Sequence, residues 1–270
     1  MGGDPVPLTK ERRSLGCVAC SEGTGLDFEF TMAFQPIVNS TTRSIYGHEA
    51  LVRGPNREGA GEIFKHVNEG NRYKFDQGCR RAAIELAARL ENDAFLSINF
   101  LPNAVYRPEL CIRTTLNAAE HSGFPIERII FEFTEGDKVV DIRHLRGIVD
   151  YYQAQGFKTA LDDFGAGYAG LSLLAEIQTD LVKIDMELIR GIATSRPRQA
   201  IAKAIVRMCA DLNIDVIAEG IETYEELSAL RSFGIELFQG YYFAKPAFEA
   251  LAEISPTAFD APARDRTFAK

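Results

Sequence analysis

Lys158-Thr159-Ala160-Leu161-Asp162-Asp163-Phe164-Gly165-Ala166-Gly167-Tyr168 is the stretch on which the fold turns. Residues 158–162 form a short apolar run of strand length, preceded by helical patterning over residues 142–155. Two adjacent carboxylates stand where the run gives way to a glycine-rich turn. Neighbouring side chains on a strand point to opposite faces, so Asp162 and Asp163 share one site only where the strand ends and the backbone turns. The glycines supply that turn. Taken alone, the pair reads either as a metal pair or as a loop start in which one Asp caps a helix and the other is solvated. Other acids arriving at the same place decide between the two.

The same helix-then-strand unit recurs on both sides. Residues 28–38 and 44–52 are β-prone runs joined by the polar turn Asn39-Ser40-Thr41-Thr42-Arg43, which predicts an opening hairpin. Helical patterning over 75–90, 109–121, 198–212 and 224–233 precedes strand-like runs at 94–100, 128–133, 215–218 and 237–238. A helical turn at 171–175 precedes a strand at 181–184. The strands are nearly continuous apolar runs, as expected when both faces are covered. Eight strands without a linker favour an α/β barrel over an open doubly wound sheet, and the hairpin makes one strand antiparallel to the rest.

A chain of 270 residues suits one such barrel. Residues 1–26, rich in Gly, Pro and charge, read as a leader, residues 27–255 as the barrel and 256–270 as a tail. The net charge of -8, with no Lys/Arg block, argues against duplex nucleic acid and against a polybasic membrane contact. An anionic substrate would need metal ions to reverse the local field. The sequence shows neither a membrane-length apolar stretch nor a signal-peptide core, so the expected location is cytoplasmic. Gly2 does not make a myristoylation motif, because position 6 is Val6. Five cysteines in such a chain suggest reduced thiols. Cys17 and Cys20 have metal-ligand spacing but are only half a zinc site, and read as free thiols, as part of a zinc site shared with another chain, or as a redox pair.

Barrel enzymes carry their chemistry at the C-terminal ends of the strands. Read in order, those ends deliver Glu49, Asn99, Glu132 with Glu135, Asp162-Asp163, Lys183 with Asp185, Glu219 with Glu222, and Gln239. Any one of these is ordinarily a helix cap, a rim ion pair or a solvated charge. Together, so many carboxylates on one face repel one another unless cations lie between them. Oxygen donors with one amide and no cysteine suit Mg²⁺ or Mn²⁺. Two such ions sharing a bridging Asp clamp a phosphodiester and generate hydroxide for in-line attack.

Glu49-Ala50-Leu51-Val52-Arg53 and the Asp162 to Tyr168 block together resemble the EAL-domain family, cyclic-di-GMP phosphodiesterases built on a modified TIM (β/α)8 barrel. The resemblance runs from Phe34-Gln35-Pro36-Ile37-Val38 to Gln239-Gly240-Tyr241-Tyr242-Phe243-Ala244-Lys245-Pro246, in the family's order. It implies hydrolysis of cyclic di-GMP to linear pGpG by two Mg²⁺ or Mn²⁺ ions, with Ca²⁺ inhibitory, in a homodimer. It also implies that Glu49, Asn99, Glu132 and Asp162 hold one ion, and that the bridging Asp162 with Asp163 and Glu219 holds or orients the other. Lys183 would contact the attacking water or the phosphate, and Gln239 would hydrogen-bond nearby. Glu49, Lys183, Glu219 and Gln239 are thus the implied catalytic set, and Arg53, Gln35 and Leu51 the substrate contacts. Glu135 would anchor the loop at residues 165–171, which in the family orders the second ion and couples dimerisation to turnover, and Glu222 would orient ligands from behind. This chain has Ala166 where the family commonly has Thr, and Ala169-Gly170 where it commonly has Ser-Ser, changes expected to loosen the loop. A receptor or scaffold that had lost catalysis would be expected to lack one or more of Glu49, Glu132, Asp163, Lys183 and Glu219, and this chain keeps them all.

Overall fold

Runs of β-branched and aromatic residues form β1 (Thr31–Asn39), β2 (Ser44–Arg53), β3 (Phe95–Asn99), β4 (Ile129–Thr134) and β5 (Lys158–Phe164). They continue as β6 (Leu181–Ile184), β7 (Asp215–Ala218), β8 (Leu237–Gln239) and β9 (Ala247–Phe248). The structure, a computed structural model, describes residues 25–135, 141–167 and 169–260. Cys17 and Cys20, with nearly all of the expected leader, lie outside the described residues, as do Tyr168 and positions 261–270 of the expected tail.

Strands β2 to β8 pair in parallel with their sequence neighbours. β1 closes the ring by pairing antiparallel with both β2 and β8. The result is the mixed eight-stranded barrel expected from the opening hairpin. The short β9 adds outside it on β1, with Ala247 opposite Phe34. Helices fill the crossovers: α1 (Ala60–Phe64), α2 (Arg72–Arg89), α3 (Pro108–Cys111), α4 (Arg113–Ser122), α5 (Ile142–Ala154), α6 (Gly170–Glu176), α7 (Met186–Ile189), α8 (Arg196–Leu212) and α9 (Tyr224–Ser232). The helix expected over 109–121 is divided at Ile112, which caps α3 and opens α4. Neither α1 nor β9 is foreshadowed by the sequence pattern.

The period of two sorts each strand between inside and outside. Ile37, Ile130, Ala160, Leu181, Ile217 and Leu237 form a dry layer across the barrel interior, with Tyr46 and Phe95 packed beneath. Two positions nearer the rim, the same inward rows carry Gln35, Glu132, Asp162, Lys183, Glu219 and Gln239. The apolar plug and the polar rim are consecutive layers of one pattern. A second, larger core fills the space between strands and helices. Packing continues past residue 255: Phe259 is buried, and Arg43 in the β1–β2 turn bonds Pro256 O at 2.9 Å and Asp260 at 2.8 Å.

Close approach fixes Gly240, where a Cβ would land on the backbone N and O of Ile221. Gly147, on the exposed side of α5, has nothing within 4 Å of such an atom. Denaturant unfolding should therefore show Gly240→Ala losing about 3 kcal/mol or more. Gly147→Ala should be neutral or gain up to about 1 kcal/mol.

Candidate metal centre

The turn that brings Asp162 and Asp163 together is inside the strand, not after it. β5 runs on to Phe164, and its register against β6 slips between Leu161 and Phe164. Asp163 sits in the left-handed region at φ 54, a conformation that Asp tolerates better than most residues. The expectation that the strand ends at Asp162 and that the glycines make the turn is corrected accordingly. Reversing the backbone at Asp163 breaks the alternation, so both carboxylates face the same side, and Asp163 N donates to Asp162 Oδ1 at 2.9 Å.

Lys183 stands at the centre of the rim with its ammonium fully buried. Its Nζ lies 2.7 Å from Glu219, 2.8 Å from Glu132, and 3.3 Å from both Glu49 and Asp162. Burial alone would discharge it, but the four carboxylates outweigh burial and hold its pKa well above the ordinary lysine value. The acids compete for what one ammonium supplies. Burial pushes Glu132 up to about 8, against the pull of Lys183 and with repulsion from Glu49 and Asp162. Burial likewise raises Asp162, and raises Glu219 well above the carboxylate range. At Asp163, burial and the neighbouring Asp162 raise the value to about 6. Glu49 alone goes down: burial opposes this, but Lys183 and hydrogen bonds from Gln239 and Asn99 win.

Those bonds position Glu49 closely. Asn99 Nδ2 donates to its Oε1 and Gln239 Nε2 to its Oε2, each at 2.8 Å. Gln239 also reaches Gln35 Oε1 at 3.3 Å, and Gln35 donates to Ala244 O at 3.3 Å. The Gln239 Oε1 is buried with no hydrogen-bond partner. Ser97, absent from the residues expected at the site, donates a hydrogen bond to Glu132 from one step below Asn99. Its signal in the sequence is the strand period: Ser97 shares the inward row of Asn99.

The donor set fits hard divalent cations. One carboxylate oxygen from each of Glu49, Glu132 and Asp162 falls within 4.8 Å of the others, and the same holds for Asp162, Asp163 and Glu219. The two groups share Asp162. Five carboxylates facing one ammonium must take up either protons or cations, and oxygen donors without sulfur suit Mg²⁺ or Mn²⁺. A cavity of about 360 Å³ opens beside the acids, lined by Leu51 and by apolar side chains from α1, α2, β2 and β3.

Not every expected residue joins the centre. Glu222 pairs with Arg190, which also lies 3.6 Å from Glu226. Glu226 caps the turn through the Glu222 and Thr223 N–H groups, so Glu222 belongs to that turn and not to the rim. Arg53 folds back to donate to Val52 O at 2.7 Å. Asp185 caps α7 by accepting from Glu187 N. Glu135 sits beneath the loop after β5 and accepts the N–H groups of Gly165, Ala169 and Gly170 at 3.0, 2.7 and 2.6 Å. A Cβ at Gly170 would crowd the Phe164 ring at 2.8 Å and Glu135 at 2.9 Å, so glycine there lets the loop close onto its anchor, and the expectation that Gly170 loosens the loop is corrected.

Residues 25–246 match the EAL domain family. The blue light- and temperature-regulated antirepressor BluF of Escherichia coli is 36% identical over 224 residues, 83% of this chain and 56% of that protein. The probable cyclic di-GMP phosphodiesterase PdeD of E. coli is 29% identical over 228 residues, 81% of this chain and 42% of that protein. This chain therefore spans about half the length of the curated relatives it matches. A standalone EAL protein from Vibrio cholerae O395, solved with cyclic di-GMP bound, superposes with a TM-score of 0.85 at 56% identity, covering 88% of this chain and all of that one. Klebsiella pneumoniae BlrP1, solved with manganese and cyclic di-GMP, gives a TM-score of 0.79 at 37% identity, covering 83% of this chain and 57% of that one.

The Glu135 anchor leads to a prediction. Glu135→Ala should speed amide hydrogen exchange at Gly165, Ala169 and Gly170 and cost about 1–3 kcal/mol, because these three N–H groups lose their acceptor. Gly170→Ser should also loosen the loop, with the same exchange measurement as its check, since the added Cβ must displace Phe164 or Glu135.

Proposed function

Because this chain belongs to the EAL domain family, we propose that it hydrolyses cyclic di-GMP to linear pGpG with two divalent cations, Mg²⁺ or Mn²⁺, held at the acid rim. The observation that carries the reading is the pair of acid groups sharing Asp162 beside a buried Lys183. Glu49, Glu132 and Asp162, with the Asn99 amide oxygen, hold one cation, and Asp162, Asp163 and Glu219 hold the other. Bound there, the cations supply Lewis-acid polarisation of a phosphoryl oxygen and lower the pKa of water.

The chain's own residues supply the rest. Lys183 favours the ionised form of the surrounding carboxylates, against their burial, and offsets negative charge that develops on the phosphoryl group. Asn99 and Gln239 hold Glu49 from both oxygens, so its orientation is set before substrate arrives. The orphan Oε1 of Gln239 accepts a hydrogen bond from a water or substrate hydroxyl. Arg53 exchanges its bond to Val52 O for a substrate phosphate, which its planar fork matches. Leu51 and the apolar cavity wall take a guanine face and exclude water, and Gln35 steadies Gln239 from behind. Gly165, Ala169 and Gly170, held on Glu135, keep Asp163 in register, and the active species is a homodimer.

A second reading comes from BluF, whose name is that of an antirepressor. It makes this chain a weakly catalytic cyclic-di-GMP receptor or a protein-interaction scaffold. The intact acid set weighs against it.

Chromatography of cyclic di-GMP incubated with the protein should show pGpG with Mg²⁺ or Mn²⁺ and inhibition by Ca²⁺, which prefers looser, higher coordination. Tight nucleotide binding without turnover in either metal would favour the receptor instead. Glu49→Ala should abolish turnover, and an active variant sinks the site assignment. By mass action, Mn²⁺ at a hundredfold excess over its Kd should add about 2.7 kcal/mol of stability per site, reversed by EDTA and read as a shift in Tm.

A further inference from the structure

Asp76 and Arg80, one turn apart on α2, carry charge into the apolar layer between that helix and the barrel. Their side chains are 1% and 0% exposed, and Asp76 Oδ2 lies 2.8 Å from Arg80 Nη2. Arg80 Nη1 donates to Tyr152 Oη at 2.8 Å. Its guanidinium carbon lies 5.0 Å from the Phe131 ring centroid, 5.4 Å from that of Phe100 and 5.8 Å from that of Tyr152. The other Asp76 oxygen, Oδ1, accepts the Leu101 N–H at 2.8 Å.

A buried ion pair is a poor stabiliser, because desolvating both charges offsets their attraction, and apolar replacements are often neutral. What distinguishes this pair is what it holds. Leu101 lies two residues beyond Asn99, and Pro102, next in the chain, has no N–H to offer. Phe100 N donates to Glu132 O at 2.9 Å, tying the ends of β3 and β4 together. Phe100 and Phe131 adjoin Asn99 and Glu132, and alternation sends the two rings outward onto Arg80 while the polar side chains face the barrel axis. Asp76 also lines the cavity that reaches Asn99, Asp162 and Asp163.

We propose that Asp76 is a positioning residue of the metal centre: it holds the Leu101 amide, and through it Asn99, in place against Glu49, while Arg80, packed on Phe100 and Phe131, compensates the buried charge of Asp76. The proposal rests on the metal-centre part of the phosphodiesterase reading, not on the identity of the substrate.

Two double variants test it, both containing Arg80→Met so that no unpaired cation stays buried. D76N/R80M keeps an oxygen for the Leu101 N–H, whereas D76L/R80M removes it. Mn²⁺ binding, followed without substrate by the EPR signal of the free ion, should weaken 10- to 100-fold in D76L/R80M and stay within about threefold of the unaltered protein in D76N/R80M. With cyclic di-GMP, the metal concentration for half-maximal rate should rise in D76L/R80M while KM for the nucleotide holds. Unchanged Mn²⁺ affinity in D76L/R80M, or equal losses in both variants, overturns the proposal. In the unaltered chain, exchange of the Leu101 amide should slow on adding Mg²⁺, and exchange indifferent to Mg²⁺ also overturns it. An unaltered protein that binds Mn²⁺ but cleaves nothing refutes the phosphodiesterase reading alone, since binding still separates the two variants.

Discussion

One buried ammonium organises the upper half of this barrel. Lys183, on β6, sits within 3.3 Å of carboxylates borne by β2, β4, β5 and the residue after β7. Burying a lysine costs several kcal/mol unless anions surround it, and burying those anions costs as much unless a cation is present. Each side of the cluster is tolerable only because of the other. The consequence is mechanical as well as electrical, since strands whose rim residues share one charge lose the freedom to slide or splay. The apolar layer beneath closes the barrel from below, and the Lys183 cluster closes it from above.

The cluster is nevertheless under-neutralised: burial first, and repulsion among the carboxylates second, raise Glu132, Asp162, Asp163 and Glu219 in spite of Lys183. A site that holds surplus anions in fixed places is organised for cations before any arrive. Behind the same strands the Asp76–Arg80 pair forms a second, separate charge layer, held apart from the first by Phe100 and Phe131. The ends of β3 and β4 are therefore gripped from both faces. Their inner face meets the rim acids, and their outer face meets a caged guanidinium.

Much of this is legible in the chain because strands put function at their ends. The hairpin, the helix–strand rhythm and the polar residues at the strand ends follow from period two and from turn chemistry, so β6 and β7 fall where the pattern puts them. What stays hidden depends on tertiary contact. Asp76 and Arg80 have the i,i+4 spacing of an ordinary exposed helical ion pair, and nothing local marks them as buried. Ser97 is visible only as a small residue beside Asn99. Glu222 looks equivalent to Glu219 in sequence, but Gly220, at φ 64, turns the chain between them and hands Glu222 to Arg190. The apolar run puts Asp163 past the end of a strand, whereas a left-handed residue within β5 does the turning. Pattern shows which residues lie on a row, but not where the row is bent.

The reversed direction of β1 settles how the polypeptide enters the barrel. In an all-parallel barrel the first strand starts at the floor, far from the chemistry. Here Thr31, its first residue, pairs with Arg53 at the far end of β2, so the chain comes in over the rim and descends past Gln35 toward the floor. Phe28 and Phe30 meet Phe75 of α2 on the way in. Any domain spliced ahead of this point is delivered to the mouth of the site. Its point of attachment to the barrel then lies on the side that carries the acids and not on the floor.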